Sequence, residues 1–140
     1  MIVDASVWVA SVLEKDAHHE VCLAFMHRFV KEQQIAIVPL LVWAEIAGAV
    51  ARRTRDTDRG MKVAELVAAK AWVRGVTLDA SLANESMRLA ARLRLRGADA
   101  VYVALAAACH EPLLTLDAEM LERTRGVAEA FTPEQWLQTH

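Results

Sequence analysis

Short, mostly apolar runs alternate along this chain with longer stretches of helical periodicity, and each short run ends in an acid or a proline. Met1 to Val3 runs into Asp4, Ile35 to Val38 into Pro39, Val76 to Leu78 into Asp79, and Leu113 to Leu116 into Asp117. Runs of this length without a polar face are those of buried parallel strands. Between them the spacing predicts a helix over Val7 to Glu14, capped by Ser6, and a second over Ala17 to Lys31 with Val21, Cys22, Phe25, Met26 and Phe29 on one side. Leu40 to about Thr54 and Met61 to Trp72 read as further helices, joined by a polar connection from Arg55 to Gly60. Asp79 reads as the cap of a helix running through Arg94. Ala98 to Cys109 is too uniformly apolar to face water and breaks at His110-Glu111-Pro112. A short helix over Ala118 to Arg123, an edge strand over Val127 to Phe131 and a last helix opened by Thr132-Pro133-Glu134 complete the chain.

Strands alternating with helices predict a three-layer α/β/α fold on a mainly parallel sheet of about five strands, and 140 residues fit one domain, 1–140. A helix that precedes a parallel strand must return the chain to that strand's starting edge. The start of the helix over Ala98 to Cys109 and the end of the strand over Leu113 to Leu116 therefore share an edge, which points Asp99 and Asp117 toward one place. By the same connectivity Asp4 ends the first strand, and Glu45 lies in the first two turns of a helix that follows a strand. In such sheets the functional crevice opens at the carboxyl ends of the strands.

Composition changes this picture in three respects. Hydrophobic residues make up 55% of the chain, with no apolar run reaching the roughly 18 residues needed to span a bilayer. The opening MIVDAS lacks the basic start of a signal peptide, so a cytoplasmic protein is expected. Net charge is −2, yet 12 of the 16 cations are Arg, gathered largely as Arg52, Arg53, Arg55, Arg59 and as Arg88, Arg92, Arg94, Arg96. Guanidinium is the better fork for phosphate, although solvated helix faces produce the same pattern. Cys22 and Cys109 sit in apolar helical contexts and are expected as buried reduced thiols. His18, His19 and His27 make no metal spacing and read as surface or partly buried side chains.

Each acid has a plain reading. Asp4 alone would serve as a turn or capping acid, and Glu45 as an exposed residue. Glu45, however, has Leu41 and Ala49 at i±4 and Val42 and Gly48 at i±3, so it either faces a cleft, meets a cation or binds metal. Four acids converging at one sheet edge would repel one another, and a hard divalent cation resolves that repulsion with an all-oxygen ligand set. Such ions act on phosphates, which reaches a metal-dependent phosphodiesterase.

IVDAS at 2–6, PLLVWAE at 39–45, RGADAVYVALA at 96–106 and LLTLDAEML at 113–121 together resemble the successive motifs of the PIN-domain family, particularly of VapC-type toxins. The resemblance implies that Asp4, Glu45, Asp99 and Asp117 form an acidic metal-binding and catalytic quartet, with Ser6 and Thr115 in support. It also implies an endoribonuclease dependent on Mg²⁺ or Mn²⁺, neutralised by a cognate antitoxin and dimeric.

Two other phosphate-handling folds fit less well. A receiver domain would place a Lys after its last core strands, where none of Lys15, Lys31, Lys62 or Lys70 falls, and the D-x-D phosphatase pattern has Ser6 in its second position. A PIN-like scaffold that binds protein and cuts little or no RNA is the alternative from another class.

Overall fold

The computed structural model describes residues 1–139. Five strands, β1 (Ile2–Val3), β2 (Ala36–Pro39), β3 (Val73–Val76), β4 (Leu113–Leu114) and β5 (Ala130–Phe131), form one sheet in the order β3-β2-β1-β4-β5. Every neighbouring pair is parallel. Eight helices among the described residues flank it in three layers: α1 (Ala5–Val12), α2 (His19–Lys31), α3 (Val42–Thr54), α4 (Thr57–Ala68), α5 (Ala80–Leu93), α6 (Gly97–Cys109), α7 (Ala118–Arg123) and α8 (Pro133–Thr139). The α/β/α reading of the sequence is met.

Ile2, Leu113 and Leu114 are wholly buried, with Ile2 in register with both Ile37 and Leu113. Helix α6 lies on β1, β2 and β4, and Ala100 to Ala106 is buried around its whole circumference, as its composition requires. An aromatic cluster closes one end of the core. Phe25 meets Trp136 edge-on at 5.0 Å, and Trp8 stacks on Trp72 at 5.4 Å.

Several boundaries move. The third strand is Val73–Val76 rather than Val76 to Leu78, and the helix before it stops at Ala68, so Trp72 leaves the helix and packs on Trp8 and Phe29. With Arg74 and Gly75 exposed, the segment carries no buried-strand pattern of its own; pairing with β2 over four positions makes it a strand. Asp79 lies beyond it and caps α5, accepting from the Leu82 N–H. The polar connection from Arg55 to Gly60 shrinks to two residues: Arg55 ends α3 in the left-handed region at φ 57°, and Asp56 caps α4. Gly60 is thereby inside α4, at the crossing with α3, where a Cβ would stand 2.5 Å from the Ala47 carbonyl oxygen. Cys22 is buried as expected, but Cys109 is exposed, because the last turn of α6 runs past the edge of the core.

The chain proceeds from β1 to β2 to β3 on one side and then returns to place β4 and β5 on the other. Connections therefore diverge between β1 and β4, the position at which a parallel sheet opens a crevice at its carboxyl edge. Among the described residues no helix is long and apolar enough to cross a membrane.

Candidate functional site

A cleft of about 870 Å³ opens at that edge, and Asp4, Ser6, Glu45, Asp99 and Asp117 all line it. Asp4 directly follows β1, Asp99 is in the first turn of α6, Glu45 in the first turn of α3, and Asp117 caps α7 just beyond β4. The four acids named from the sequence thus arrive from four elements at one opening.

Asp4 is the most deeply placed. Its Oδ2 accepts from Ser6 Oγ at 2.5 Å and from Thr115 Oγ1 at 2.9 Å. Both hydroxyls are oriented by the turn after β4, since Ser6 Oγ accepts from the Leu116 N–H and Thr115 Oγ1 from the Asp117 N–H. Ser6 is therefore no helix cap: α1 begins one residue earlier, and the hydroxyl is spent on Asp4 instead. Burial pushes the Asp4 carboxyl above the ordinary range; the two hydroxyls oppose the shift and the charge of Asp99 adds to it. Among the described residues no Lys or Arg pairs with Asp4, so its carboxyl is buried without a positive partner.

Glu45 is half-buried and accepts the Tyr102 hydroxyl at Oε2, 2.5 Å away. Its carboxyl too is raised, first by burial and then by the charges of Asp4 and Asp99, against the Tyr102 bond and Arg96. Tyr102 itself is held well above its ordinary range by burial and by the neighbouring acids, and so stays a donor. Sequence reasoning missed Tyr102. The available signal was its isolation: it is the single tyrosine of the chain, in an aliphatic helix, three residues beyond Asp99 and hence on the same face.

Asp117 divides its oxygens. Oδ1 caps α7 by accepting from the N–H groups of Glu119 and Met120, while Oδ2 accepts from Arg96 Nη2 at 2.7 Å. The same guanidinium reaches Asp99 Oδ2 through Nε, also at 2.7 Å. Of the two Arg clusters read from the sequence, only Arg52, Arg53 and Arg96 line the cleft. Arg88 pairs with Glu85 on the surface of α5. Asp16 and His18, unforeseen in the sequence, line it as well, with Asp16 bound to Arg53. Beyond them an adjoining hollow of about 930 Å³ is bounded by Lys15, Thr54 and Arg59.

The donor set is all oxygen, which suits a hard divalent cation, and Asp4 adds to it a buried carboxyl that no Lys or Arg engages. Among the described residues, however, no three Asp, Glu, His or Cys side chains stand together as a ready ligand set. Asp99 and Asp117 are turned onto Arg96, and Glu45 onto Tyr102.

Comparison with solved structures gives the same arrangement of elements. VapC20 of Mycobacterium tuberculosis, a sarcin-ricin loop cleaving toxin, superposes with a TM-score of 0.75 at 20% identity, covering 91% of this chain and 96% of that one. FitAcB of Neisseria gonorrhoeae gives 0.72 at 15% identity, covering 95% and 97%. A toxin-antitoxin complex from Klebsiella pneumoniae gives 0.67 at 14%, covering 94% and 96%. At these identities the likeness is one of fold, and no curated protein matches the sequence. The model of the PIN domain family matches residues 1–127, nearly the whole chain, and the chain belongs to that family.

Proposed function

We propose that this protein is an endoribonuclease dependent on Mg²⁺ or Mn²⁺, the toxin of a VapBC-type toxin-antitoxin pair. The observation that carries the reading is Asp4: a buried carboxylate without a cationic partner, at the strand edge where three further acids meet. Asp4, Glu45, Asp99 and Asp117 would hold the cation, which when bound supplies charge neutralisation at the phosphate and a water of lowered pKa. Ser6 and Thr115 fix Asp4 by bonding one of its oxygens. Tyr102 fixes Glu45, whose raised pKa suits it to orient the attacking water and take up its proton. Arg52 and Arg53 line the cleft at positions where phosphate oxygens of the RNA backbone would lie.

The structural relatives that are toxins or toxin-antitoxin complexes support a cognate antitoxin as partner. A homodimer and a cytoplasmic location belong to the same reading. A protein-binding scaffold with little or no nuclease activity is the second reading, favoured by the engagement of Asp99 and Asp117 with Arg96.

Purified protein, freed of any partner, is incubated with total cellular RNA in Mg²⁺, in Mn²⁺ and in EDTA, beside Asp99→Asn. Discrete products that require the metal and vanish in the variant are expected. Folded protein that cuts nothing under any of these conditions would overturn the nuclease in favour of the scaffold.

A further inference from the structure

Arg96 does more than neutralise a surface acid. It occupies the extended position just before α6, and its side chain bridges two carboxylates from separate segments, Asp99 in α6 and Asp117 at the start of α7. Asp117 has given Oδ1 to the cap of α7, so the atom that Arg96 takes is the one the cap leaves over. A cation held by Asp117 would therefore compete with Arg96. The guanidinium charge also reaches Glu45, where it opposes the other acids. Yet Arg96 is itself exposed, its side chain 68% accessible, so solvent screens its ion pairs and makes them easy to break.

We propose that Arg96 is the resident counter-cation of the acidic cleft, and that a divalent cation enters by exchange with it. A guanidinium cannot shed its charge by deprotonation, so exchange requires physical departure of the side chain. Once released from Asp99 and Asp117, Arg96 stands at the rim of the cleft as a bidentate donor for a phosphate of the bound RNA. One residue thus steadies the empty acids and then turns to substrate. The inference rests on the metal-dependent nuclease reading of the cleft, and its test separates the two.

Mn²⁺ binding is measured by titration calorimetry on the full chain, comparing the unmodified protein with Arg96→Gln, Arg96→Lys and Arg52→Gln. Arg52 lines the same cleft without bridging the two aspartates, so its variant reports the effect of lost charge alone. Exchange predicts that Arg96→Gln binds Mn²⁺ about three- to tenfold more tightly, the worth of one or two exposed ion pairs. Arg52→Gln should change by less than about twofold, and Arg96→Lys, which keeps the charge without the fork, should fall between. A purely structural staple between α6 and α7 predicts instead a lower melting temperature for Arg96→Gln with Mn²⁺ affinity unchanged or weakened, and that result would overturn the exchange. Failure of every protein, unmodified included, to take up Mn²⁺ at millimolar concentration would overturn the metal-dependent reading and the exchange with it.

Discussion

The Tyr102 hydroxyl donates to Glu45 Oε2 across 57 positions of sequence, tying the middle of α6 to the first turn of α3. The bond holds a raised carboxyl in one orientation at the mouth of the cleft while burial and the charges of Asp4 and Asp99 work against its ionisation. Its removal should therefore act on Glu45 and leave the packing alone. Tyr102→Phe keeps the ring in the core, so the fold should survive at a cost of about 1 kcal/mol. Cleavage should fall by about ten- to a hundredfold through misplacement of Glu45, in kcat more than in KM. The bond lowers the Glu45 pKa, so its loss raises that pKa, and the acid limb of the pH-rate profile should move to higher pH. A profile that keeps its position would show that Tyr102 does not tune Glu45.

The buried charge of Asp4 makes a statement about stability as well. Unfolded, an aspartate releases its proton near 3.8; in the fold, Asp4 keeps it to higher pH. Between those two values the folded chain holds a proton that the unfolded chain lacks, so stability without metal declines as pH rises through the window. Glu45, which starts from 4.5, acts in the same direction. Asp16 acts in the opposite one. Burial would raise it, but the His18 N–H and the Arg53 guanidinium outweigh burial and hold it below 3.8, so its contribution is lost as pH falls through that lower value. Asp4→Asn removes the buried charge and keeps an oxygen for the two hydroxyls. In EDTA it should raise the stability at about pH 8 by at least about 1 kcal/mol while abolishing cleavage. Urea midpoints followed upward from below pH 3.8 to about pH 8 check this, and the decline of the unmodified protein should flatten in the variant. A variant less stable than its parent at pH 8 would mean that the Asp4 charge is compensated in the fold.

Asp4 and Asp117 were legible in the sequence because each ends a short apolar run, and a parallel sheet converts that position into a place at the carboxyl edge. Asp99 was legible through the apolar helix it opens, and Asp79 as a cap because a capping acid announces itself locally. Features that depend on a distant partner were not. Strand β3 exists by virtue of β2, with two of its four residues exposed, and nothing in VRGV distinguishes it from a loop. Ser6 has the position of a cap and spends its hydroxyl elsewhere, because Leu116, 110 positions away, presents an N–H to it. Cys109 shares the composition of its helix but lies beyond the sheet that buries the rest. The fork of Arg96 is of the same kind: an Arg cluster in sequence says nothing of which member finds two carboxylates.

Thr115 offers the sharpest test of how the site is held. Wholly buried, it accepts the Asp117 N–H at 3.0 Å and donates to Asp4 Oδ2 at 2.9 Å, so one hydroxyl fixes the relation between two of the four acids. Thr115→Val preserves shape and deletes this relay together with the weak contact of the hydroxyl to Met120 Sδ at 3.8 Å. It leaves the Asp117 N–H without its acceptor and Asp4 with one donor fewer, which should cost about 1–3 kcal/mol of stability. The Asp4 carboxyl should rise further, since the lost bond favoured its charged form. Metal-supported cleavage should fall with it, because Asp4 is then held by Ser6 alone of the two hydroxyls. Thr115→Ser retains the hydroxyl and loses a buried methyl, so it should also cost about 1 kcal/mol yet keep cleavage near that of the unmodified protein. The pair separates packing from positioning: both variants lose stability, and only the valine should lose activity. Melting temperatures and RNA cleavage at saturating Mn²⁺ read the two effects, and a valine variant that cuts as fast as the serine variant would remove Thr115 from the machinery of the cleft.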